Sequence, residues 1–166
     1  MTFNKSRLGV IVSALIILAL VNLNIYQQEQ QLATGNIVVF ELAPVDPRSL
    51  MQGDYMALNY QIANKISQAT HLENDLENYD GLFVVTLNQH KLAQFDDLYQ
   101  GQTLLPNQHI IQYRVRSGRV KLASNAFFFE EGRAQEFANA KYGEFRVNPA
   151  GKMLLSNMLD KDFKRI

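Results

Sequence analysis

From Leu8 to Val21 every side chain is apolar apart from Gly9 and Ser13, and the run follows Lys5 and Arg7. A helix over Leu8–Tyr26 is roughly 28 Å long at the α-helical rise, close to the hydrocarbon thickness of a bilayer, with Tyr26 suited to the interface. A buried helix of a soluble domain keeps a polar stripe, and none is visible between Val10 and Val21. A cleaved signal sequence is the competing reading, but no small-x-small triplet closely follows the run, Ala33–Gly35 being the nearest small cluster. Only Glu29 closely follows the segment, so the excess of positive charge lies before it. The positive-inside rule then predicts residues 1–7 in the cytoplasm, a transmembrane anchor at 8–26, a polar neck at 27–35 and a folded domain at 36–166 on the far side.

The 166 residues, 47% hydrophobic and 19% charged, suit one domain plus this appendage. Sixteen basic and sixteen acidic residues cancel, which leaves no basic footprint for nucleic acid. The absence of cysteine excludes disulfides, thiol nucleophiles and cysteine-ligated zinc. His71, His90 and His109 lack metal-ligand spacing, and no glycine-rich loop offers a nucleotide site. Neither a cofactor nor a metal is therefore expected.

The hydrophobic pattern predicts an α+β chain: one N-terminal transmembrane helix, then a β-rich, mainly antiparallel domain with one or two short helices. Ile37–Phe40 reads as a buried first strand, closed by Pro44 and Pro47. A strand is expected from Asp54 to about Ile62, with Met56, Leu58, Tyr60 and Ile62 on one face and Tyr55, Ala57, Asn59 and Gln61 on the other. A peripheral helix is expected over Ala63–Asn78, its stripe ending in Tyr79, then strands over Gly81–Leu87 and Lys91–Phe95. His109–Arg116, a Ser117-Gly118 turn and Arg119–Ser124 read as a hairpin. A short helix within Ala126–Tyr142 anchored by Phe137, strands at Tyr142–Val147 and Lys152–Ser156, and a frayed Asp160–Ile166 complete the reading.

A two-residue turn in the hairpin sets Arg116 opposite Arg119, Val115 opposite Val120, Arg114 opposite Lys121 and Tyr113 opposite Leu122. One face is then apolar and the other cationic. Like charges across a ladder cost up to about 1 kcal/mol per pair, so Arg114, Arg116, Arg119 and Lys121 need water, a carboxylate or a bound anion. A solvated outer face and an anionic partner, lipid headgroups included, both satisfy that need.

Gly53-Asp54-Tyr55-Met56-Ala57-Leu58-Asn59-Tyr60 resembles, at every fixed position, the GDYXXLXY family of membrane-anchored bacterial proteins. The motif residues are Gly53, Asp54, Tyr55, Leu58 and Tyr60. Ala43-Pro44-Val45-Asp46-Pro47-Arg48, Phe128-Phe129-Glu130-Glu131-Gly132 and Tyr142-Gly143-Glu144-Phe145-Arg146-Val147 resemble further blocks of the same family, with Glu131 standing where glutamine is common. The resemblance implies a single anchor helix in the inner membrane, a periplasmic domain and an integral membrane protein as partner. It implies no reaction.

In the motif, Gly53 and Asp54 suit a turn, while Leu58 and Tyr60 face the core. Alternation sends Tyr55 to the other surface, where it either packs beneath a loop or meets a partner. Asp46, Arg48, Asp54, Tyr55, Glu144 and Arg146 are the candidate interaction surface, the alternative being scattered ion pairs. An enzyme is the second function class. Pro47–Asp54 is similar to the strand entrance of membrane-bound serine-lysine signal peptidases, although Pro44–Asp46 supply no hydroxyl where that nucleophile belongs. Ser49 with Lys65 or Lys91 is the substitute dyad.

Overall fold

The computed structural model describes residues 5–43, 55–70 and 78–166. Helix α1 runs unbroken from Lys5 to Thr34, so the apolar segment and the expected neck are one rod. It is long and apolar enough to cross a membrane, and its side chains from Leu8 to Tyr26 make no core with the domain. Gly35 ends it through a bond from its N–H to the Gln31 carbonyl at 2.9 Å. The chain is α+β: the apolar helix precedes a mainly antiparallel β domain carrying two short helices.

Strand β1 (Asn36–Glu41) pairs with β8 (Tyr142–Val147), which pairs with β9 (Met153–Leu159). A second sheet has the order β4 (Ala93–Leu98), β3 (Tyr79–Leu87), β5 (Gln108–Arg116), β6 (Arg119–Leu122). A two-stranded ribbon joins β2 (Tyr55–Ala57) to β7 (Ala126–Phe128). All these pairings are antiparallel. The alternating apolar residues of β3, β5 and β8 supply the centre of the core: Phe83, Val85, Ile111, Val115, Phe145 and Val147. Helix α2 (Gln61–Ala69) closes it with Ile62 and Ile66, packing on β4, β6 and β1.

The hairpin has the register that its turn predicts, Tyr113 opposite Leu122 through Arg116 opposite Arg119. Ser117 and Gly118 both take positive φ, 51° and 68°, the mirror-image turn that matches strand twist. The short helix expected within Ala126–Tyr142 is present as α3 (Ala134–Phe137), anchored by Phe137 against Phe127 and Phe129 at 4.9 and 5.1 Å between ring centroids, and the Ala126–Phe128 segment before it forms β7. Three other expectations are corrected. The motif strand stops at Ala57 and α2 starts at Gln61, because Ile62 satisfies both the alternation of Met56, Leu58 and Tyr60 and the helical spacing to Ile66. Tyr79 belongs to β3, opposite Val115, rather than to a helix. Asp160–Ile166 does not fray: Phe163 stacks on Tyr142 at 4.4 Å and on His90 at 4.9 Å, and the Ile166 N–H donates to the Met158 carbonyl.

Candidate functional site

Of the motif, Tyr55, Leu58 and Tyr60 fall among the described residues; Gly53, Asp54, Asp46, Arg48 and Ser49 lie outside them. Leu58 and Tyr60 are buried. Tyr60 stands edge-on to Phe40 and Phe145 and donates its hydroxyl to the Ser124 carbonyl at 2.7 Å, and burial pushes its phenol pKa well above the usual value. Both side chains are therefore parts of the core.

Tyr55 points the other way. It remains 41% exposed and lies opposite Phe128, which is 75% exposed, with ring centroids 5.8 Å apart. A direct cross-strand aromatic pair stabilises a short ribbon by up to about 1 kcal/mol, yet most of the Phe128 ring remains in solvent. Neither β2 nor β7 has a second strand neighbour among the described residues. Beside this ribbon, Ala57–Tyr60 and the cationic hairpin tip, with Arg119 and Lys121, line one open cleft of about 540 Å³. The Phe128 partner was missed from sequence because the run Phe127-Phe128-Phe129 reads equally well as buried. The ladder position opposite Tyr55 decides that its middle ring points out.

Glu144 and Arg146 occupy one face of β8 with Tyr142, but that face is covered. Glu144 is only 8% exposed, and its Oε1 accepts from Asn157 at 2.7 Å, Ser156 at 3.0 Å and Arg165 at 3.1 Å. Arg146 donates from Nη1 to the Gly35 carbonyl at 3.2 Å, and its buried Nε has no partner among the described residues. No hydrogen bond or ion pair among the described residues joins either side chain to Tyr55. Arg146 instead belongs to a junction with α1, where the Gln31 amide donates to the carbonyls of Arg146 at 3.0 Å and Lys152 at 2.7 Å. The junction is close-fitting: a Cβ on Gly35 would stand 2.5 Å from the Gln31 carbonyl oxygen.

The four hairpin cations separate in role. Arg116 bonds Asp80 at 2.6 Å and the Tyr79 carbonyl at 2.9 Å, so the carboxylate option holds for it. Arg114 caps the Ala123 carbonyl at 3.1 Å and, like Arg119 and Lys121, has no acidic partner among the described residues. Lys65 on α2 and Lys91 before β4 are both exposed, whereas a serine-lysine dyad works through an amine buried beside its serine. Among the described residues no group of histidine, aspartate and glutamate has the arrangement of a metal site.

An apolar N-terminal helix docked on a small, mainly antiparallel α+β domain that carries the exposed Tyr55–Phe128 pair defines the class. Residues 17–158 match the family model for GDYXXLXY protein, and the chain belongs to that family. No curated protein and no solved structure matches it.

Proposed function

We propose that the chain is a membrane-anchored interaction module that works with an integral membrane protein, its domain at 36–166 lying in the periplasm. An N-terminal apolar helix is shared by membrane anchors and signal sequences; the anchor is favoured by the rigid continuation of α1 into the domain through Gln31 and Gly35. Lys5 and Arg7 before the apolar run favour a cytoplasmic N-terminus.

The observation that carries the interaction reading is the Tyr55–Phe128 pair. Two adjacent aromatic rings left in solvent on a two-stranded ribbon whose outer edges have no strand partner among the described residues offer both the anchors and the main-chain groups that protein interfaces use. Exposed burial-prone rings contribute little to a fold unless something covers them.

The test is a photo-reactive residue placed at Phe128 in the full chain, in its native membranes. A discrete crosslinked membrane protein is expected. Tyr55→Ala is expected to weaken that association by roughly thirtyfold, the loss of one aromatic hot spot of about 2 kcal/mol. A crosslinking pattern unchanged by Tyr55→Ala, with the domain folded, would sink the assignment.

A further inference from the structure

The turn between β8 and β9, residues 148–152, does more than reverse the chain. Gly151 takes up the edge of β5 where β6 stops: its carbonyl accepts from the Gln112 N–H at 2.9 Å, and the Gln112 amide donates to the Ala150 carbonyl at 3.0 Å. The turn therefore overhangs the polar face of the four-stranded sheet. Between the two lies an open cleft of about 490 Å³, lined by Asp80, Gln112, Arg114 and Lys152 among others. Asp80 is already engaged by Arg116 at 2.6 Å. Arg114 and Lys152 have no acidic partner among the described residues, so the cleft carries an excess of positive charge.

The anchor helix sets the height of this cleft. Gln31 grips the Lys152 carbonyl at 2.7 Å and the Arg146 carbonyl at 3.0 Å. Gln31 follows Tyr26 by five residues in the same helix, a rise of about 7.5 Å. With Tyr26 at the edge of the hydrocarbon, that rise crosses the headgroup layer, which is about 5–8 Å deep on each side. The wall of the cleft that bears Lys152 thus stands at the outer rim of the headgroups.

We propose that this cleft takes the phosphate of an anionic phospholipid headgroup, held by Arg114 and Lys152, and so fixes the orientation of the domain on the bilayer. The inference rests on α1 being the membrane anchor. Size, charge and height agree: a headgroup fits the volume, two cations have no carboxylate partner among the described residues, and the wall bearing Lys152 stands at the rim of the headgroup layer.

The full chain is compared in nanodiscs of phosphatidylcholine and of an equimolar mixture with phosphatidylglycerol, reading amide hydrogen exchange over 110–114 and 148–153. Exchange is expected to slow in the mixed discs, and Arg114→Gln with Lys152→Gln is expected to abolish the slowing. Each cation contributes about fivefold to the affinity for the anionic surface. Equal wild-type exchange in both discs overturns the headgroup site whatever the variants do, and leaves the anchor reading standing. Failure of the chain to enter either disc overturns the anchor and the site together. Equal slowing in phosphatidylcholine discs by glycerol phosphate assigns the cleft to a soluble phosphate and overturns the lipid.

Discussion

Glu144 shows how a charge with the look of a binding residue is used up inside the fold. Its Oε1 is the acceptor for Asn157, Ser156 and Arg165, and the donors arrive from β9 and from the chain's last turn. The two ends of this cluster differ in worth. The carboxylate is 10% exposed and the Arg165 side chain 60% exposed. Removing the acceptor leaves a part-buried amide and hydroxyl unpaired, so Glu144→Ala is expected to cost about 1–3 kcal/mol by chemical denaturation of the full chain in detergent. Arg165→Ala removes one largely hydrated donor and is expected to cost less than about 1 kcal/mol. Equal losses would contradict this account. Alternation correctly put Glu144 and Arg146 on the face away from Phe145. That the face is covered depends on Phe163 and Arg165 folding back on it, and nothing in a charged C-terminal segment announces such a return.

At the scale of elements, the decisive contact is between α1 and the β8–β9 hairpin. Gly35 stands where a side chain has no room, since an added Cβ would meet the Gln31 oxygen at 2.5 Å and the Val147 nitrogen at 3.2 Å. Both obstacles are backbone atoms that cannot swing aside. Gly35→Ala is therefore expected to lower stability by about 1–3 kcal/mol and to speed exchange of the Gly35 and Val147 amides, uncoupling helix from domain. Unchanged exchange there would show that the junction tolerates separation. Such a junction was illegible beforehand: Gln31 reads as one of several glutamines on a polar neck, and its two carbonyl partners lie more than a hundred residues away. The β5–β6 hairpin was legible to the register because Ser117-Gly118 and the alternation of Tyr113, Val115, Val120 and Leu122 agree. The motif segment was legible in its burial and not in its element, since one residue, Ile62, serves both periodicities.

For the whole molecule, charge is balanced near neutrality and its response to acid has a defined direction. Burial, helped by Lys91, holds the His109 imidazole below its ordinary pKa. A depressed histidine favours the folded state while both states are neutral, and that advantage is lost as pH falls below about 6.5, where the unfolded chain takes up the proton first. Asp160 is held below the usual carboxylate range by the backbone N–H groups of Lys164 and Asp162, and Glu136 by the Arg133 guanidinium. Their contributions persist above the unfolded carboxylate pKa, about 4, and fade as pH drops through the lower folded values. All three shifts have the same sign, so acid weakens the fold in two separated steps. In thermal melts of the full chain against pH, His109→Gln is expected to remove the decline that begins near pH 6.5 and to leave the one below pH 4 intact. Retention of the upper step in that variant would assign it to another group, and loss of both steps would tie the lower decline to His109 rather than to Asp160 and Glu136.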